Sequence, residues 1–195
     1  MKARMTVAAL TAAALVAVPT TAMAAQGGQG GQNGKGANRS QQRSGDCTGA
    51  RISVGTLTNS QLKTLQWMAE EEKLAHDVYV ALDEKFGGVV FERIAASEAK
   101  HLKAIQRLLA RYDVDDPTAG LGDGEFASDA AKQLYADLLA KATTVDEAMA
   151  VGAEIERMDI ADLKDAIADA TQRDIKRVYS NLLRGSQRHL VAFTR

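Results

Sequence analysis

The 195-residue chain has a single cysteine, Cys47, so no intrachain disulfide can form. Cys47 stands far from the apolar N-terminal run, which excludes a lipid-anchor cysteine, and it reads as an incidental thiol of a tail. A basic stripe interleaved with aromatics is also missing. Aromatic residues make up 5% of the chain, and the Lys and Arg between Lys35 and Arg51 are sparse and separated by Gly and Gln. A nucleic-acid partner is therefore not expected. With 24 Lys and Arg against 25 Asp and Glu, the formal net charge is only −1. No apolar run reaches the roughly 20 residues that a membrane-spanning helix needs. The longest candidate, Val7 to Val18, is too short.

That run has a different meaning. It follows the basic start Met1-Lys2-Ala3-Arg4 and precedes Ala22-Met23-Ala24, a small-x-small cleavage pattern. Together these predict a signal peptide over residues 1–24, cut after Ala24, and hence a secreted protein with no membrane span once the leader is gone. Residues 25–56 are rich in Gly, Gln, Asn, Ser and Arg. So little apolar surface cannot offset chain entropy, and this stretch is expected to be a disordered linker. Residues 57–195 are long enough for one domain with a real core.

This part reads as helices. The first starts at a cap near Asn59-Ser60, ends at Gly87-Gly88, and carries the apolar seam Leu65, Met68, Glu72, Ala75, Tyr79, Leu82. The second runs from about Val90 to Tyr112 with the seam Phe91, Ile94, Glu98, His101, Ile105, Leu108. The loop from Asp113 to Ala127 contains Gly and Asp, but its spacing does not match a calcium-binding EF-hand. A short helix follows from about Ser128 to Lys141. The fourth, after Thr143-Thr144, reaches about Asp169 with the seam Met149, Gly152, Glu156, Asp159, Leu163, Ile167. The fifth begins near Thr171, with the seam Ile175, Val178, Leu182, Ser186, His189, Phe193.

Each seam alternates three and four residues, the pattern of a helix packed in a bundle. Each is broken by polar residues near mid-length: Glu72; Glu98 and His101; Glu156 and Asp159; Ser186 and His189. Folded back and forth, these breaks fall in one layer. Four carboxylates there cannot satisfy one another, because they repel. A pair of divalent cations balances the charge and uses every group. The metal-ligand candidates are therefore Glu72, Glu98, His101, Glu156, His189 and Asp159. The other Glu residues of the triplet, Glu70 and Glu71, are expected at the solvated surface, and His76, one position off the seam, is not expected to ligate. Gly185 beside Ser186 points to a close approach by another group.

Leu65 to Arg195 resembles the ferritin-like superfamily, and within it the domain-of-unknown-function 2202 family. The resemblance rests on Met68-Ala69-Glu70-Glu71-Glu72-Lys73-Leu74-Ala75-His76-Asp77-Val78-Tyr79, on Ser97-Glu98-Ala99-Lys100-His101, on Glu156-Arg157-Met158-Asp159-Ile160-Ala161-Asp162-Leu163, and on Asn181-Leu182-Leu183-Arg184-Gly185-Ser186-Gln187-Arg188-His189-Leu190. It implies an all-α, antiparallel four-helix bundle whose long crossover carries the short extra helix. It also implies iron, as a di-iron or degenerate di-iron site, with oxidase- or peroxidase-type redox activity. Glu98 and Glu156 are then candidates to bridge, and Glu72 to bind at one end. The departure from the superfamily pattern is Ser186, where the last helix should offer a Glu; Asp159 is placed to compensate. With only Cys47, a four-cysteine rubredoxin-type iron site is excluded. Metal ions are the expected partner, and a homo-oligomer stays open. The alternative is a metal-free helical interaction module of the cell exterior.

Overall fold

Thr58 opens the first helix. Its side chain accepts from the Gln61 backbone N–H while the Gln61 side chain accepts from the Thr58 backbone N–H, a reciprocal cap one residue before the expected one. The computed structural model describes residues 55–195; the expected signal peptide, Cys47 and nearly all of the expected linker lie outside the described residues. Five helices and no strand form among the described residues: α1 (Asn59–Phe86), α2 (Val89–Arg111), α3 (Asp129–Lys141), α4 (Val145–Asp169) and α5 (Arg173–Phe193). None is long and apolar enough to cross a membrane.

Gly87 and Gly88 join α1 to α2 with φ of 69° and 119°, conformations that a side chain would strain. So short a link makes the two helices antiparallel neighbours. Thr144 and Glu147 cap α4 reciprocally, as Thr143-Thr144 predicts. At α5 the cap position falls to Gln172 instead of Thr171. The Thr171 hydroxyl faces Gln61 Nε2 at 3.5 Å, so it ties the α4–α5 turn to α1.

The contacts among the four long helices close a ring: α1 on α2, α2 on α5, α5 on α4 and α4 on α1. The short α3 lies against α1 and α4. Two apolar clusters result. One gathers Val78, Leu82, Phe91 and Phe193 with the α3 residues; the other gathers Leu65, Met68, Ile105, Leu163 and Leu182. Each such side chain contributes about 1.5–3 kcal/mol by leaving water. The predicted polar layer lies between the two clusters.

One expectation fails on α1. Met68 to Ala75 are eight consecutive buried residues, including Glu70 at 5% and Glu71 at 7% exposure. An amphipathic helix packed on one side cannot bury eight in a row. This one can, because α2, α4 and α3 with its preceding loop surround it. Glu70 Oε1 accepts from the Ser128 backbone N–H at the start of α3. Lys73 Nζ pairs with Asp77 and donates to Gly122 O at 2.7 Å, while Asp77 Oδ2 accepts from the Gly124 N–H at 2.9 Å. The buried pair thus clasps the α2–α3 loop. Asp77→Ala leaves the Lys73 charge buried and unpaired, and should cost about 3–5 kcal/mol of stability, read as a lower urea midpoint.

Candidate metal centre

Glu98 stands at the middle of α2 with 2% exposure, between α1 and α5. Its two oxygens face different imidazoles. Oε2 is 2.6 Å from His101 Nδ1, and Oε1 is 2.6 Å from His189 Nδ1. Glu72 on α1 joins the first imidazole at 3.4 Å, and Glu156 on α4 joins the second at 3.6 Å. Two three-residue groups follow, Glu72–Glu98–His101 and Glu98–Glu156–His189, each with its candidate ligand atoms within 4.8 Å of one another. They share Glu98.

The short approaches are not hydrogen bonds. Both Nδ1 atoms and Glu98 Oε1 lack a partner of hydrogen-bond geometry, as do Glu71 Oε2, Glu72 Oε1 and Asp159 Oδ1. Six of the seven buried side-chain atoms left so among the described residues lie in or beside this one layer. Leaving them unmade costs about 1–3 kcal/mol each, more for charged groups. Cations between nitrogen and oxygen lone pairs satisfy those that fall in the two groups, and carboxylate with imidazole is a donor set for iron and its divalent neighbours. The residues therefore fit a metal pair.

The charges tell the same story. Burial opposes the Glu98 charge, but the two imidazoles outweigh it and hold the carboxyl down at about 2. Burial likewise works against His189, and Glu156 and Glu98 push it up to about 9. His101 is raised against its burial by Glu98. The remaining carboxyls move the other way. Glu72 is raised well above the usual range by burial and then by Asp159 and Glu98. Asp159 is raised to about 7 by burial, with Ser186 drawing it back and Glu98 and Glu156 pushing it further. Two imidazoles cannot neutralise so many acids.

Around this layer the chain supplies fitted supports. Tyr79 OH donates to Glu156 Oε1 at 2.7 Å and fixes that carboxylate from the side of α1. A Cβ on Gly185 would lie 2.6 Å from His101 Cε1 and Nε2. The close approach suggested by this glycine is made by the imidazole ring. His101 and His189 stack at 5.5 Å between centroids. Ser186 Oγ donates to Leu182 O at 3.0 Å and sits fully buried where a glutamate would otherwise reach the layer.

Five of the six sequence candidates thus converge, with Glu98 common to both groups. Glu156 belongs to one group only. Asp159 belongs to neither, yet it is 5% exposed and flanks the same layer. His76 stays aside, 2.8 Å from Asp77. Glu154, two residues before Glu156 on α4, pairs at the surface with Lys141. Glu71 was missed. The eight-residue enclosure of α1 is a tertiary effect, and only the unbroken charged run Glu70-Glu71-Glu72-Lys73 inside an apolar helix hinted at it.

Residues 61–195 match the family described as the uncharacterized protein domain DUF2202. The chain belongs to that family. This DUF2202 chain is 43% identical over 129 residues to the uncharacterized protein MJ0754 of Methanocaldococcus jannaschii, covering 66% of its own length and 70% of the other's. It is also similar to the crystal structure of the hypothetical protein MJ0754 from Methanococcus jannaschii, with a TM-score of 0.70 at 39% identity, over 71% of this chain and 80% of that one.

Two outcomes are expected for the DUF2202 domain. Gly185→Ala must displace the His101 ring, at about 1–3 kcal/mol, and should shift the His101 ring resonances while leaving those of His76 in place. In chelator, stability should fall as pH rises from about 4.5 to about 9. The raised Asp159 carboxyl stabilises the fold below its ordinary value of 3.8, and this is lost up to about 7. The raised His189 stabilises it below 6.5, and this is lost up to about 9. Below pH 4.5 the slope reverses, because the depressed Glu98 carboxyl loses its stabilising charge toward about 2. Thermal melts across pH check both signs.

Proposed function

We propose that this exported chain is a ferritin-like, antiparallel four-helix bundle, with α3 in its long crossover, that holds a pair of divalent metal ions, iron first among them. One observation carries the reading: both oxygens of Glu98 face different imidazoles, and neither imidazole nitrogen has a hydrogen bond. Glu72 and His101 hold one side of the pair, Glu156 and His189 the other, and Glu98 joins them. Asp159 supplies the carboxylate that Ser186 does not. Bound iron would supply one-electron chemistry toward oxygen or peroxide.

The chain's own contribution is positioning. Four elements each bring ligands to one layer, and apolar clusters above and below restrict water there. Tyr79 orients Glu156 by donating to Oε1, the oxygen that also faces His189. Gly185 lets His101 lie against α5. The ring of helix contacts and the likeness to the MJ0754 structure support a bundle. The basic start and the small-x-small pattern before Ala25 support export.

Ferrous iron added to the purified chain without oxygen, followed by desalting and metal analysis, tests the reading. Glu98→Ala should bind two irons per chain fewer than wild type, and His101→Ala and His189→Ala one fewer each. At free iron of 100 times the dissociation constant, the wild type should gain about 2.7 kcal/mol of stability per bound iron. Equal iron in wild type and Glu98→Ala would contradict the proposal, and no iron in either would favour a metal-free interaction module.

A further inference from the structure

The outer faces of α2 and α5 take no part in the metal layer, and both are basic. On α2, Arg93, Lys100, Lys103, Arg107 and Arg111 are exposed, at spacings of seven, three, four and four residues. Such spacings lay them along one stripe, away from the seam that carries Glu98 and His101. On α5, Arg173, Arg177, Arg184 and Arg188 repeat at four, seven and four, with Lys176 beside them and Arg195 seven residues on; all are exposed. Besides buried Glu98, the acids of these two helices are Glu92 and Asp174 alone.

Three contacts pack α2 and α5 antiparallel. Arg111 Nε meets Asp174 Oδ2 at 2.9 Å near one end, a Cβ on Gly185 would strike the His101 ring at mid-length, and the Phe91 and Phe193 rings lie 5.8 Å apart near the other end. The two stripes therefore border one another over about 20 residues of each helix, or about 30 Å. Among the described residues, Arg111 alone of these cations is held in an ion pair. At the Phe193 end, Arg184, Gln187, Arg188, Val191 and Arg195 line an open cleft of about 450 Å³, in which Val191 is 47% exposed.

Unpaired like charges set side by side repel one another, and an anionic partner relieves that repulsion. Eight of the eleven cations are arginine, whose planar fork takes phosphate oxygens two at a time. Two stripes make a broad array, and neither helix exposes an aromatic ring on which a nucleic-acid base would stack. A second copy would offer the acidic α4, but Glu156 and Asp159 are buried and α3 stands against α1 and α4, so no matching flat acidic face is formed. We propose that the α2–α5 face docks on an anionic phospholipid surface, with its arginines on the lipid phosphates and Val191 entering the headgroup layer. No described helix can span a bilayer, so the contact is peripheral and electrostatic. α4, with eight Asp and Glu against Arg157 and Lys164, turns away from the lipid and fixes the orientation. The metal pair plays no part in this assignment.

Co-sedimentation of the purified full chain with vesicles tests it, comparing equal parts of phosphatidylcholine and phosphatidylglycerol with phosphatidylcholine alone. Binding should be tighter to the anionic vesicles, and raised salt should abolish the difference. Each cation removed from the face should weaken anionic binding about fivefold, so Arg107→Gln with Arg177→Gln should weaken it about 25-fold. Arg157→Gln with Lys164→Gln, the same charge change on α4, should leave it unchanged. All four positions are exposed, and circular dichroism should show wild-type helix content in both variants. Equal loss in the two variants, or a wild type with no preference for anionic vesicles, would overturn the proposal. Tighter binding to duplex DNA than to the vesicles would overturn it in favour of nucleic acid, and salt-sensitive self-association lost in the Arg107 and Arg177 variant would overturn it in favour of a second copy.

Discussion

The structure depends on how a buried layer of like charge is kept neutral. Five buried carboxylates, Glu71, Glu72, Glu98, Glu156 and Asp159, meet two imidazoles between two apolar clusters. An isolated ion there would cost several kcal/mol or more. The imidazoles settle Glu98 alone, and hold it charged by approaching it from both sides. The other carboxyls are pushed toward the neutral form, which is the state a protein adopts when nothing positive arrives. Protons or cations must complete the layer, and the missing hydrogen-bond geometry at both imidazole nitrogens favours cations.

Other features follow from placing such a layer at mid-height. Its members come from α1, α2, α4 and α5, so no pair of helices could build it alone. α1 contributes most because it is enclosed on all sides. Four consecutive residues of α1 serve different neighbours: Glu70 reaches the start of α3, Glu71 faces α4, Glu72 enters the layer, and Lys73 clasps the preceding loop through Asp77 and Gly122. Glycines at the crowded positions make the fit possible. Gly185 admits the His101 ring, and a Cβ on Gly152 would lie 2.6 Å from Phe193.

Much of this was legible in the sequence. The seams of α1, α2, α4 and α5 place Glu72, Glu98, His101, Glu156 and His189 at the breaks in apolar periodicity, because a polar residue at a core position stands out against Leu and Ile neighbours. The start of α4 follows from Thr143-Thr144, and α3 begins one residue after the expected Ser128, which caps it. What periodicity could not give is a helix with no outer face. The burial of Glu70 and Glu71 depends on where α3 and its preceding loop settle, and that is decided by contacts more than forty residues away in sequence. Similarly, Glu156 looked equivalent to Glu98 as a bridge. Only the spatial arrangement shows both imidazoles on Glu98, with Tyr79 holding Glu156 to one side.

The shared carboxylate is the centre of the account, and anomalous diffraction at the iron edge from crystals grown with ferrous iron tests it most directly. The account predicts two peaks flanking Glu98, one beside His101 Nδ1 and one beside His189 Nδ1, with a different Glu98 oxygen turned to each. A layer without anomalous density, or a single peak that leaves one imidazole unligated, would contradict it.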